Sequence, residues 1–405
     1  MSPLPDIRTV DVRGRTVLVR ADLNVPLKDG RVSDDTRIRR FAPTVRDLLD
    51  RGASVVVMTH LGRPDGAFNP IHSVAPVAEA LARAVDHEVV FVPECVGGVA
   101  EQAATHLQQG RVLLLENLRF HRGEEANNRN FAVRLSVHGD IYVNDAFSCA
   151  HRAHASTHAI AELMPAFAGP SLIDEVAALT RVLESPERPV AAIVGGAKIS
   201  SKISILKNLV TRMDHLIIGG GMANTFLAAQ GHNVGRSLQE VDCIPIAREI
   251  LAAAEAGNCQ VVLPEDVVVA QKFAENAPCD VVGVGEIPAD AMALDVGPRT
   301  VARIEAVLAQ CRTLLWNGPL GAFETRPFGA ATFAVAQKAA ELTVAGALTT
   351  VAGGGDTAAA LAAAGIADRV TYLSTAGGAF LEWLEGRVLP GIEILRTNTK
   401  RLEDA

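Results

Sequence analysis

Two groups of residues in this chain have the types and spacing to do chemistry on anions. The first lies in VAAIVGGAKISSK, residues 190–202, where an apolar run meets Gly195 and Gly196 and then Lys198 and Lys202, four positions apart. Glycines let backbone N–H groups approach an oxygen-rich ligand closely, and the first turn of a helix favours negative charge. The spacing predicts a strand, a tight turn and a helix start, with both ammonium groups on one helical face converging on one anion. It is not a Walker A loop, because GxxxxGK[ST] does not occur. The second group is a series of arginines and histidines that follow short apolar runs. RADLNVP carries Arg20, Asp22 and Asn24, and THLGRPDG carries His60 and Arg63. LRFHRGEE carries Arg119, His121 and Arg122, AHRAHAST carries His151, Arg152 and His154, and Arg37 is expected in a polar loop before a helix. Such a cluster repels itself unless an anion lies within it.

These residues fall where strands should end. TVLVR (16–20), SVVVMTH (54–60), VVFV (89–92), RVLLLEN (111–117) and IYVND (141–145) alternate with helical patterns. The rhythm resumes with VAAIV (190–194), HLIIGGG (215–221), QVVL (260–263), TLLWNG (313–318), LTTVAGGG (348–355) and VTYLST (370–375). Alternation of this kind predicts two α/β halves, each a parallel sheet covered by helices, with ligands at the carboxyl ends of the strands. Between the halves, SLIDEVAALTRVLES (171–185) sets Leu172, Val176, Leu179 and Leu183 on one helical stripe before Pro186 and Pro189, which predicts an interdomain helix. The expected domains are 1–170, a helix and hinge over 171–189, a second domain over 190–385, and a tail over 386–405. The tail carries Leu389, Pro390, Ile392, Ile394 and Leu395, an apolar set expected to dock on existing surface.

The strand ends of the second half are glycine-rich: GGAK, GGGMAN, WNGPLG and AGGGDT. Backbone-rich, charge-poor loops suit a nucleotide, whose phosphates accept N–H donors. Asp356, after the last glycine run, is either a helix N-cap or an oxygen ligand for Mg²⁺ bridging phosphates. Glu324 either accepts from ribose hydroxyls or faces water.

Composition sets bounds on these readings. At 405 residues the chain exceeds the size at which single cores stop growing, and 49% hydrophobic residues suffice to fill two. A net charge of −8 gives no bulk attraction to nucleic acid or to an anionic membrane, so the basic cluster calls for a small acid instead of a polymer. Six cysteines without a CxxC pair read as reduced thiols. The N-terminus lacks the apolar core of a signal peptide and no apolar run reaches ~18 residues, so a soluble, cytoplasmic protein is expected.

Nine stretches, in order, carry a family resemblance: RADLNVPL, THLGRPDG, LLLENLRFHRGEE, YVNDAFSCAHRAHAST, VGGAKISSK, IIGGGMANTF, WNGPLGAFE, AGGGDT and STAGGAFLEWLEG. Over essentially its whole length the chain resembles the phosphoglycerate kinases. The resemblance implies two doubly wound, Rossmann-like domains facing a cleft, joined by an interdomain helix, that close by hinge bending. It implies reversible phosphoryl transfer from 1,3-bisphosphoglycerate to ADP, giving 3-phosphoglycerate and ATP with Mg²⁺, by a monomer. It further implies that Asp22, Asn24, Arg37, His60, Arg63, Arg119 and Arg152 hold phosphoglycerate. Gly196, Lys198, Lys202, Gly220, Asn317, Gly318, Pro319, Glu324 and the run Gly353, Gly354, Gly355, Asp356 and Thr357 would hold the adenine nucleotide, with Asp356 on Mg²⁺. Arg37, Lys198, Gly355 and Gly377 are expected at the moving phosphoryl group. Ala376 stands where a third glycine is common in the family, and Ser148 and Cys149 where Gly-Thr is common. Two other classes share features with this chain. A nicotinamide oxidoreductase would need a GxGxxG turn with an acidic residue ~20 positions on, which is missing. A non-catalytic two-domain anion-binding protein would have no need of Lys198, Asp356 and the glycine loops.

Overall fold

The computed structural model describes residues 3–398. The chain divides into two compact units: residues up to Ala177 together with those from Val388 onward, and Ala178–Arg387. No helix among the described residues is long and apolar enough to cross a membrane.

The first unit begins with β1 (Thr16–Ala21), a small hairpin of β2 (Leu27–Lys28) and β3 (Arg31–Val32), and α1 (Thr36–Asp50). β4 (Ser54–Met58), α2 (Ala75–Val85), β5 (Val89–Val92), α3 (Gly98–Thr105) and β6 (Val112–Leu115) follow. Next come α4 (Arg122–Glu125), α5 (Arg129–Ser136), β7 (Ile141–Asp145), β8 (Ala166–Ala168) and α6 (Pro170–Leu183). The sheet runs β5-β6-β4-β1-β7-β8, all parallel. β4, β6 and β7 are buried at every position, as strands covered on both faces must be. Val17, Val19, Val55, Val57, Leu114 and Val143 pack with Val45 and Leu48 of α1 and with Val77 and Leu81 of α2. The stripe of α6 is buried at Leu172, Val176, Leu179 and Leu183, and the division between units falls within this helix.

The second unit starts with β9 (Val190–Val194), α7 (Ile203–Leu209), β10 (His215–Ile218), α8 (Gly221–Ala229), α9 (Ile244–Ala256) and β11 (Gln260–Val262). β12 (Asp266–Ala270), β13 (Asp280–Gly283) and β14 (Met292–Val296) make a separate antiparallel sheet. α10 (Pro298–Gln310), β15 (Thr313–Asn317), α11 (Ala330–Val344), β16 (Thr349–Gly353), α12 (Gly355–Ala363), β17 (Tyr372–Ser374) and α13 (Gly378–Leu384) complete it. Its parallel sheet runs β11-β10-β9-β15-β16-β17, with β9 central. This is the Rossmann order, winding out one way from β9 and then the other, which puts the switch point between β9 and β15. The first unit keeps the same reversal, at β1 and β7, but exchanges its two outer strands on the other side.

Several elements depart from the sequence reading. The sixth parallel strand of the first unit, β8, was not anticipated, nor was the antiparallel sheet β12–β14. The apolar tail is helical: α14 (Pro390–Thr397) packs within the first unit. Gly391 donates its N–H to Ala150 O at 2.9 Å and accepts from Asn144 Nδ2 at 3.3 Å, while Asn398 Nδ2 donates to Ala161 O at 2.7 Å. The part of the expected tail beyond Asn398 lies outside the described residues.

Candidate active site

In the first unit the site begins at the carboxyl end of β1. Arg20 is fully buried in an otherwise apolar strand. Its Nε donates to Ser156 Oγ at 2.8 Å, its Nη1 to Ala21 O at 2.5 Å, and its Nη2 lies 3.1 Å from His60 Nδ1 and 3.6 Å from Cys149 Sγ. Ser156 in turn donates through its backbone N–H and its hydroxyl to buried Glu124, at 3.0 and 2.5 Å, so a countercharge reaches Arg20 through one hydroxyl. Burial, then the positive charge of Arg20, Arg119 and Arg37, holds the His60 pKa well below the usual histidine range. The imidazole is therefore neutral; Nδ1 accepts from Arg20, which leaves the proton on Nε2. His154 is pushed down to about 4 by burial and then by the charges of Arg20, Arg119 and Arg152.

A second layer of bonds joins the loops. Arg37 is not in the loop before α1 but in its first turn: α1 starts at Thr36, whose backbone N–H and hydroxyl donate to Asp34 Oδ1 at 2.9 and 2.6 Å. Arg37 Nη1 donates to Asp22 Oδ2 at 2.7 Å and to Asn24 O at 3.2 Å. Asn24 Oδ1 accepts from Gly62 N at 2.9 Å, and Gly62 O accepts from Arg119 Nη1 at 3.0 Å. Asp22, Asn24, Arg37, His60 and Arg119 are thus gathered at one edge of one sheet by bonds among the loops that carry them or through Arg20. Arg63 and Arg152 are exposed on the loops after β4 and β7. Ligand atoms of Asp22, His60 and Cys149 lie within 4.8 Å of one another. Guanidinium groups of Arg37 and Arg20 already bond all three, a charge pattern that suits an anion and opposes a cation.

In the second unit the site lies at the switch point. Gly195 N donates to Asn317 O at 3.0 Å, and Asn317 Nδ2 donates to Gly353 O at 2.8 Å, tying together the ends of β9, β15 and β16. Gly318 N donates to Thr357 Oγ1 at 2.7 Å. Asn317, Gly318 and Pro319 are buried, so they shape the loop from within. The two lysines do not share a helical face. Ser200 is pinned by Glu240, which accepts from its N–H at 2.9 Å and its hydroxyl at 2.5 Å, and α7 starts only at Ile203. Lys198 is exposed, whereas Lys202 turns inward and donates to Gly195 O at 2.6 Å and to Asn317 Oδ1 and O at 2.7 and 3.0 Å. Burial lowers the Lys202 pKa to about 8, partly offset by the nearby Asp356.

The glycines divide into two kinds. A Cβ on Gly195 would stand 1.8 Å from Pro319 O, and one on Gly220, at φ +68°, would stand 2.6 Å from Gly196 O. These glycines let protein loops, not a ligand, approach closely. Gly355 and Gly377, by contrast, border open space. Gly354 caps α12, so Asp356 is not an N-cap; it is exposed in the first turn with its carboxylate available to a ligand. Asp356 supplies one carboxylate, and it is absent from the one cluster of three potential metal ligands among the described residues. That donor set fits a Mg²⁺ ion that takes its other oxygens from phosphates and water. Glu324 is exposed. Ala376 does not adopt a positive φ, so the missing glycine leaves no strain there.

A guanidinium cluster at one parallel sheet edge and a glycine-lined set of loops at the switch point of another suit anions and define the class, a two-unit doubly wound α/β protein. A family model described as phosphoglycerate kinase matches residues 7–387. The phosphoglycerate kinase of Methylobacterium radiotolerans is 55% identical over 393 residues, 96% of this chain and 98% of that protein. That of Rhizorhabdus wittichii is 57% identical over 385 residues, 95% and 97% of the two chains. Among solved structures, phosphoglycerate kinase from Coxiella burnetii matches with a TM-score of 0.91 at 41% identity, covering 98% of this chain and 100% of its own. The chain belongs to the phosphoglycerate kinase family, and the catalytic reading holds over the non-catalytic anion-binding alternative.

Sequence reasoning placed Arg20 in the basic cluster but not as the buried residue that joins it, and it missed Ser156 and Glu124. The available signal was an arginine inside a run otherwise apolar enough to be buried on both faces.

Proposed function

We propose that the first unit holds the phosphoglycerate and the second the adenine nucleotide, and that the transfer has a carboxyl group as its acceptor. The observation that carries this reading is the linked set Asp22, Asn24, Arg37, His60 and Arg119, an anion site with no general base. None is needed. A carboxylic acid ordinarily loses its proton at a pH of roughly 4. At pH 7 the carboxylate therefore attacks the γ-phosphorus of ATP directly; the bond to the β,γ-bridging oxygen breaks, giving the acyl phosphate and ADP. In the opposite direction a terminal oxygen of ADP attacks the acyl phosphate and the carboxylate leaves.

The work of the protein is then to position and neutralise. Charge spreads over three equatorial oxygens during in-line transfer. Arg37 and Lys198 are assigned to those oxygens, helped by the N–H groups of Gly355 and Gly377. Lys202, Gly196, Gly220 and Thr357 shape the phosphate cradle. Asn317, Gly318 and Pro319 hold that cradle from within, Gly353 and Gly354 set the start of α12, and Glu324 accepts from the ribose. Arg63 and Arg152 complete the phosphoglycerate site from its exposed side. Asp356 would hold Mg²⁺, which when bound offsets phosphate charge. Transfer between substrates held by separate units requires the two to meet during the cycle, and excluding water then protects the acyl phosphate from hydrolysis. A soluble, cytoplasmic monomer suits these small substrates.

The test is a coupled assay with purified protein, MgATP and 3-phosphoglycerate, following NADH oxidation through glyceraldehyde-3-phosphate dehydrogenase, with Arg37→Ala alongside. Turnover that collapses in the variant supports the assignment; no turnover from folded wild type overturns it.

A further inference from the structure

The loop after β7 brings to the anion site a hydroxyl for which the mechanism above has no use. β7 pairs with β1 in the register Arg20↔Asn144 and Ala21↔Asp145, so the turns that follow the two strands share one sheet edge. Ser148 lies in the short 3-10 turn Phe147–Cys149 there, 126 residues from Asp22 in the chain. Its hydroxyl donates to Asp22 Oδ2 at 2.5 Å. The same oxygen accepts from Arg37 Nη1 at 2.7 Å, and Oδ1 accepts from Asn24 N at 3.2 Å.

We propose that Ser148 is a positioning residue for the phosphoglycerate site, acting through Asp22 on Arg37. Asp22 is a negative charge inside a site for anions. It is tolerable there only while its lone pairs are directed at donors of the protein and away from the incoming substrate. Two donors on Oδ2 and one on Oδ1 fix the carboxylate plane and therefore the side from which the Arg37 guanidinium is held. The Asp22 and Arg37 side chains keep 15% and 32% of their exposure, so water still reaches the pair and screens part of its attraction. A short hydroxyl bond to an ionised oxygen is of the stronger, charge-assisted kind and supplies the missing constraint. Without it the carboxylate can turn its charge toward the substrate.

The proposal rests on the reading that Asp22 and Arg37 hold phosphoglycerate, so its test compares Ser148→Ala, Ser148→Thr, Asp22→Ala and the double variant Asp22→Ala with Ser148→Ala by steady-state kinetics and thermal melting. Ser148→Ala is expected to raise KM for 3-phosphoglycerate about three- to tenfold, the net worth of one ordinary hydrogen bond, because the loss reaches the substrate only through Asp22 and Arg37. KM for MgATP should stay within about twofold, because the nucleotide loops belong to the other unit. Ser148→Thr should recover most of the loss. Adding Ser148→Ala to Asp22→Ala should cost nothing more, since a residue that acts through another has no effect once that one is gone. An unchanged KM for 3-phosphoglycerate in Ser148→Ala, or a rise in both KM values together with a lower Tm, or full additivity in the double variant, overturns the role of Ser148. If Asp22→Ala itself leaves that KM unchanged, the site assignment falls and Ser148 with it.

Discussion

On the proposed reading the two units solve the same problem, holding an oxyanion at the carboxyl edge of a parallel sheet, with opposite materials. In the first unit the donors are side chains. Arg20, Arg37 and Arg119 are each fixed by bonds to hydroxyl, carbonyl or carboxylate groups before any ligand arrives. In the second unit the frame is largely backbone, with glycine loops pressed against one another and one half-buried lysine spanning them. A guanidinium keeps its charge at every accessible pH and its planar fork fixes direction. Backbone N–H groups carry no net charge and cannot be deleted, so they are controlled only by the shape of the loop. The first site should therefore be vulnerable to loss of charge and the second to added bulk.

The largest expected effect tests the charge side of that contrast. Arg37→Ala should lower kcat by about 10³-fold or more, the range of a catalytic arginine in related phosphoryl transfers, with little change in Tm. Retention of more than a tenth of the activity would remove Arg37 from the reacting oxygens. On the shape side, Gly195→Ala forces a Cβ to within 1.8 Å of Pro319 O. It should destabilise by about 1–3 kcal/mol or more, visible in denaturant melts. Gly355→Ala borders open space; it should leave stability equal or raised by about 0.4–1 kcal/mol while raising KM for MgATP. Equal damage from both substitutions would mean that the glycines are not of two kinds.

A smaller effect separates the units by pH. Lys202 sits at about 8, below its usual 10.5, so it sheds its proton as pH rises through that value, and the cradle loses a positive charge. KM for MgATP should climb above about pH 8, by at most about tenfold per unit, and Lys202→Arg should flatten the rise. KM for 3-phosphoglycerate should stay level from about pH 7 to 9, because His60 is held well below 6.5 and His154 at about 4, so both are neutral throughout. The smallest effect is a control. Arg83 and Glu79 form an ion pair on the exposed side of α2 with nothing else to organise. Glu79→Ala should change stability by under about 0.5 kcal/mol and neither KM, in contrast to Asp22→Ala.

Much of this was legible in the chain because both sheets are parallel and buried: strands covered on both faces must read as continuous apolar runs, and eleven such runs marked the strands. β8 escaped because Ala166–Ala168 is too short to form a run. The antiparallel sheet escaped although DVVVA is as apolar as its neighbours, since its partners DVVG and MALDV lie partly exposed and carry a weaker signal. The arginines and histidines were legible by type and by their place at strand ends. The bonds that fix them were not, because each links loops far apart in sequence: Ser148 to Asp22, Glu124 to Ser156, Gly62 to Asn24. Lys202 was misplaced for a local reason. Spacing of four implies a shared face only inside a helix, and Glu240 holds the backbone out of helix as far as Ser200.

The discontinuity of the first unit also sets a timetable. Its sheet and the arginines of its basic cluster lie in the first part of the chain, but Gly391, which latches the backbone of Ala150 next to Ser148 and Cys149, comes after the whole of Ala178–Arg387. At about 5 to 20 residues per second, a ribosome needs on the order of 10 to 40 s to cross that stretch. Throughout that interval the nascent unit carries a basic cluster and an uncovered apolar surface awaiting Ile392 and Leu395. The first unit therefore lacks the latch on its Ala150 loop until the whole of the second unit has been synthesised.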